Sequence, residues 1–62
     1  VHHSPPLSYA QAAERLNVTQ RYVRHLVAEK RIPYLKVGRL VRFDPADLDR
    51  FLEECRIEAG VA

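Results

Sequence analysis

Gln20, Arg21, Arg24 and His25 stand together in a stretch of chain with no acid among them. Arginine can donate two hydrogen bonds to guanine and glutamine can pair with adenine, so a helix that presents both can read base edges from a major groove. Lys36, Arg39 and Arg42 follow on a second short basic stretch. Their chemistry suits phosphates or a neighbouring minor groove, where the negative potential attracts arginine. Catalysis lacks its parts, because no serine, cysteine or carboxylate has a base partner on a rigid element. A lone cysteine, Cys55, makes no internal disulfide and no zinc cluster. His2 and His3 are adjacent but have no further ligands. The expectation is a protein with no catalytic residue, no metal and no cofactor.

The charge distribution is more telling than its sum. The formal net charge is +2, but Arg15 to Arg42 holds eight basic residues against the single acid Glu29, a local +7. Asp44 to Glu58 holds six acids against Arg50 and Arg56, a local −4. This split fits a basic face for a polyanion with an acidic segment turned away from it, and it also fits solvated charge on helix surfaces. Length narrows the classes further. A chain of 62 residues removes only about 60% of its unfolded surface from water, and of its 47% hydrophobic residues seven are alanine. That supports a core for a few short helices and a small sheet, not walls around a substrate pocket of several hundred Å³. Apolar runs reach only two or three residues, so neither a transmembrane helix nor a signal-peptide core is expected, and the cytoplasm is the expected location.

The elements that must position these cations can be read in turn. Residues 1–6 contain two consecutive prolines and no periodicity and read as a flexible arm. Ser8 and Gln11 form a capping box, and Tyr9, Ala12, Ala13 and Leu16 give the first helix an apolar face whose alanines permit close approach. Asn17 suits a left-handed stop. Thr19 caps a second helix with Val23, Leu26, Val27 and the stem of Lys30 inward, and Gln20, Arg21, Arg24, His25 and Ala28 outward. Pro33 prevents continuation beyond about Arg31. Tyr34 to Val37 and Leu40 to Phe43 flank Gly38-Arg39, as in a tight hairpin with glycine first in the turn; strict alternation fails, which leaves the register open. Asp44-Pro45 starts a third helix with Leu48, Phe51, Leu52 and Cys55 on its apolar stripe, the thiol read as a core group. The result is a mainly α fold with a small β-hairpin, helix-helix-hairpin-helix, the parts of a winged helix-turn-helix. The domain is expected over residues 7–56, with 57–62 a flexible tail.

With these parts assembled, the sequence resembles a known family. Leu7-Ser8-Tyr9-Ala10-Gln11-Ala12-Ala13-Glu14-Arg15-Leu16-Asn17-Val18-Thr19 is similar to the first helix and turn of excisionase-like, MerR-like helix-turn-helix domains. Arg31 to Phe43 resembles their wing, and Asp47-Leu48-Asp49-Arg50-Phe51-Leu52 their closing helix. The family pattern often has glycine where Asn17 and Lys30 stand. The resemblance covers residues 7 to about 54 and implies a DNA-binding protein without catalysis. It places Thr19, Gln20, Arg21, Tyr22, Arg24 and His25 on the recognition helix and Lys36, Arg39 and Arg42 on the wing. Arg21 and Arg24 are read as base readers, with phosphate contact or plain solvated charge as the alternatives. Tyr22 has two equal readings, packing under the wing or touching DNA. His25 reads as a surface residue before a contact, Gly38 as required by the turn, and Arg15, Lys30 and Arg31 as long-range attraction only.

The function implied is that of a phage or mobile-element excisionase, a recombination directionality factor. Such a protein binds repeated sites on double-stranded DNA, bends it, and directs an integrase (a tyrosine or serine recombinase) towards excision. A small MerR-like transcription regulator shares every contact named and is the alternative, followed by a protein-binding module. No heptad pattern extends past Cys55, so a monomer is expected in dilute solution, with copies binding head to tail on DNA, the acidic third helix of one meeting the basic flank of the next.

Overall fold

Ser8 closes the capping box at the head of the first helix: the Gln11 amide donates to Ser8 Oγ at 3.2 Å, and the Ser8 amide donates to Gln11 Oε1 at 3.0 Å. The structure, a computed structural model, describes residues 5–60, so His2, His3 and the outer ends of the arm and tail lie outside the described residues. From the capping box the order is α1 (Tyr9–Leu16), α2 (Gln20–Ala28), β1 (Leu35–Val37), β2 (Leu40–Arg42) and α3 (Pro45–Glu54). This is the expected helix-helix-hairpin-helix arrangement.

α1 packs on both α2 and α3. The fully or nearly fully buried core consists of Ala12, Ala13, Leu16, Val23, Leu26, Ile32, Phe43 and Leu48. Ala12 and Ala13 have little side chain to hold the helices apart, which is how α2 approaches closely enough to bury Val23 and Leu26 completely. A contact the sequence did not reveal ties the hairpin to this core. Leu7 and Phe43 form an isolated antiparallel bridge, each amide donating to the other's carbonyl, at 2.7 and 2.8 Å. Leu7, Val41 and Phe51 pack around the core, half-buried.

The helix ends are where sequence and structure diverge most. α1 stops as expected: Asn17 is left-handed at φ 57°, its amide donates to the Glu14 carbonyl, and the Val18 amide donates to that of Ala13. α2 stops in the same way but earlier than expected, at Ala28 instead of about Arg31. Lys30 is left-handed at φ 56°, its amide donates to Val27, and the Arg31 amide donates to Leu26. Both are the paired hydrogen bonds of a Schellman motif. The stop therefore comes from the backbone three residues before Pro33, and Lys30 is exposed instead of extending the buried stripe. Both positions thus hold an L residue in a conformation that glycine adopts without steric cost.

The hairpin register pairs Leu35 with Arg42, Lys36 with Val41 and Val37 with Leu40. Gly38 alone in the turn has positive φ, 65°, which places glycine first in the two-residue turn as expected. The strands are one residue shorter than read, because Tyr34 stays outside the ladder and Phe43 leaves it for Leu7. α3 begins with Asp44 accepting from the Ala46 amide at 2.9 Å and Pro45 in the first turn. Its burial declines along its length: Leu48 is fully buried, Phe51 half-buried and Leu52 42% exposed. Cys55 corrects the expected core thiol. It terminates the helix with its amide on the Phe51 and Leu52 carbonyls, and the residue is exposed, since among the described residues no helix packs over the last turn.

Lys30→Gly should stabilise the fold by about 0.5–1 kcal/mol, since a left-handed L-residue gives way to one with no steric penalty, less the entropy of a freer unfolded chain. Denaturant unfolding checks this. A lower midpoint for Lys30→Gly would contradict the assignment of Lys30 as the helix stop.

Candidate nucleic-acid interface

At about 100° per residue, Arg21 occupies the centre of the α2 face opposite Val23 and Leu26, with Arg24 to one side of it and His25 to the other. Gln20 and Arg24 form the adjoining row on one flank, and Tyr22 lies on the other. All five are exposed, Tyr22 at 43%. Thr19, the sixth residue expected here, is the N-cap: its Oγ1 accepts from the Tyr22 amide at 3.1 Å. Its oxygen is committed to the helix start, which leaves the hydroxyl proton free to donate to a ligand. The helix dipole adds partial positive charge at the same end, beside Gln20 and Arg21.

Which cations are free is decided by where the acids lie. Glu29, the one acid in the basic segment, is held at the far end of α2, with His25 Nε2 at 3.1 Å and Arg31 Nη1 at 3.8 Å. Arg15 is bound by α3, its guanidinium donating to both Asp49 oxygens at 3.1 Å. Asp47 pairs with Arg50, and Glu53 and Glu58 pair with Arg56. Among the described residues, Arg21, Arg24, Lys30, Lys36, Arg39 and Arg42 have no carboxylate partner. Five of these six are the cations picked out by the sequence; of the three read as long-range charge, Arg15 and Arg31 are neutralised locally, whereas Lys30, at the left-handed stop after α2, is not. His25 has a carboxylate at its ring nitrogen, in keeping with a surface residue.

The wing separates its three cations. In an antiparallel pair, opposed residues share a face. Leu35, Val37, Leu40 and Arg42 therefore lie on one face, Lys36 and Val41 on the other, and Arg39 at the tip. Val37 and Leu40 are each 52% exposed, so the outer face of the wing is apolar with a cationic tip. Arg42 is half-buried and donates from Nη1 to the Val41 carbonyl at 2.8 Å, which turns part of its guanidinium back onto its own strand. Lys36 and Arg39 are fully available.

Sequence reasoning missed a role for Tyr9, read only as part of the apolar face of α1. Its ring meets Phe43 edge-on, centroids 5.4 Å apart at 69°, and carries the Arg24 guanidinium 4.8 Å above its own centroid. The three residues are far apart in the chain, and no local pattern joins them. A groove of about 670 Å³ between the Pro33-Tyr34 loop and α3 is a separate feature. It is lined by Lys30, Arg31 and Arg50 as well as by Asp47 and Glu54, so ions of both signs share it.

The cap is testable apart from any ligand. Thr19→Ala should lose about 1 kcal/mol of stability and Thr19→Ser should lose almost none. Equal melting temperatures for the native protein and Thr19→Ala would remove the cap from the account.

The comparisons with known proteins agree with this geometry. A family model described as a helix-turn-helix domain matches residues 7–56. No curated protein and no solved structure matches the chain. The match spans both capped helices, the turn between them, the hairpin and α3, and the chain belongs to the helix-turn-helix domain family.

Proposed function

We propose that this chain is a sequence-specific double-stranded DNA-binding protein that acts without catalysis, with α2 in the major groove and the wing on the adjoining backbone or minor groove. One observation carries the reading: the acids of the described residues are engaged with Arg15, His25, Arg31, Arg50 and Arg56, or lie at caps and helix ends, while the cations of α2 and the wing are unpaired. Unpaired cations attract a polyanion and release its counterions on binding. In this reading Arg21 and Arg24, exposed on α2, read base edges, and Gln20 pairs with adenine. Lys36 and Arg39 suit phosphates, and the apolar outer face of the wing suits the sugar walls of a groove better than bulk water. No helix among the described residues is long and apolar enough to cross a membrane, and a role in the cytoplasm fits a DNA partner.

The finer reading is an excisionase, a recombination directionality factor of phage or mobile-element type, supported by the resemblance of residues 7 to about 54 to excisionase-like domains. Copies bind side by side on repeated sites, bend the DNA and favour assembly of an integrase for excision. A single module covers too little DNA for high affinity alone, which favours neighbouring copies. Asp47, Asp49 and Glu53 are paired within the chain, which leaves Glu54 as the α3 acid without an ion-pair partner for a copy-to-copy contact. Most of the expected charge attraction between copies is therefore already spent inside each one, and cooperativity falls more on the shared bend of the DNA. A small transcription regulator would use the same contacts without an integrase.

Arg21→Ala should weaken specific binding by about 1–3 kcal/mol and relax the preference at one base pair. Arg39→Ala and Lys36→Ala should weaken all sequences alike and reduce the salt slope by about one ion each. Unchanged discrimination across a mismatch series with Arg21→Ala would contradict base reading by that residue. For the excisionase reading, two or three spaced sites should be bound more tightly per site than one, and an excision assay with the cognate integrase should respond. Identical affinity per site, no bend and no effect on excision would leave the transcription regulator.

A further inference from the structure

Arg21 and Arg24 are both exposed and unpaired, but they are not held alike. Arg24 lies over the Tyr9 ring at 4.8 Å, and Tyr9 is in turn fixed against Phe43, whose ring is fully buried and whose backbone is bound on both sides by Leu7. The chain of contacts runs from the core through two rings to one guanidinium. Arg21 has no such support among the described residues. A cation over a ring is attracted by the negative face of the π-system, a contact that consumes none of the N–H donors. Arg24 makes no other polar side-chain contact among the described residues. The fork therefore stays open for a ligand while its side chain has already lost much of its freedom, and binding has less of that freedom left to remove.

We propose that Tyr9 is the positioning residue of the interface: its ring holds Arg24 in the pose from which that arginine reads one base pair, and so sets specificity without itself touching a base. This rests on the DNA reading given above. It makes Arg24 the stringent reader and Arg21 the adaptable one, a difference that the sequence alone does not contain. The hydroxyl of Tyr9 has no part in it, so phenylalanine should serve equally.

The test is a mismatch series on a bound duplex with native protein, Tyr9→Phe, Tyr9→Leu, Arg24→Ala and the double variant Tyr9→Leu with Arg24→Ala. Tyr9→Leu should lower discrimination at a single base pair by about two- to fivefold, the factor that an exposed cation–ring contact supports. Tyr9→Phe should match the native protein, and the salt slope should be the same in all variants that keep Arg24. Tyr9→Leu should add nothing once Arg24 is alanine. A merely structural Tyr9 would instead weaken every sequence alike and would do so with or without Arg24, which overturns the proposal. The native protein gives a second reading that needs no folded variant: the Arg24 δ-methylene protons should be shifted upfield by the ring in the free state and remain so on DNA, and random-coil shifts in both states would overturn the proposal. If the native protein shows no preference anywhere in the series, base reading itself falls and takes this role with it. If it discriminates and Tyr9→Leu discriminates equally, the positioning role alone falls.

Discussion

Both backbone hydrogen-bonding groups of Phe43 are satisfied by Leu7, and its ring is fully buried, so this residue joins the start of α1, the end of the wing and the core at one point. In a small domain that junction carries unusual weight. Truncating a buried phenylalanine removes about 3–5 kcal/mol, comparable with the whole stability expected of a chain this short. The hairpin has only three residue pairs and an exposed outer face, and a two-stranded ribbon of that kind is marginal by itself. Its attachment through Phe43, with Val41 packed beside it, is what makes the wing a fixed feature instead of a loop. The same ring supports Tyr9, and Tyr9 supports Arg24, so the anchor of the fold and that cation are two contacts apart.

A second constraint acts through charge. The chain carries nearly as many acids as bases, and folding sorts them. Glu29 is drawn to the end of α2 by His25 and Arg31, and Asp49 reaches from α3 to Arg15. Exposed pairs of this kind contribute only about 0.2–1 kcal/mol each to stability. Their larger consequence is electrostatic: each removes an acid from competition for Arg21, Arg24, Lys36 and Arg39, which leaves those cations to a polyanion.

Much of this was legible in the sequence because it depended on local chemistry. Ser8 with Gln11, Thr19, Asp44 with Pro45, and Gly38 each act within three residues of their own position, and each does so as read. The exposed basic face of α2 was legible because helical periodicity separates Val23 and Leu26 from Arg21 and Arg24. What escaped was non-local or depended on absence. Leu7 pairing with Phe43, and Arg24 lying on Tyr9, join residues whose neighbours in sequence give no hint of the meeting. Cys55 fits the apolar spacing of α3, but spacing cannot say that the last turn is left exposed by the described residues. Lys30 continues the helical spacing of Val23, Leu26 and Val27, and the Schellman hydrogen bonds reveal the left-handed stop instead.

The central claim is that the unpaired cations of α2 and the wing form the DNA-binding face. The most direct measurement is a titration of a duplex into isotope-labelled protein at physiological salt, followed residue by residue through backbone amide and arginine side-chain resonances. The account predicts that perturbations concentrate on Gln20, Arg21, Arg24, Lys36 and Arg39, with Asp49, Glu53 and the groove at Asp47 and Glu54 unchanged. Perturbations centred on α3 and that groove, with α2 and the wing silent, would contradict it.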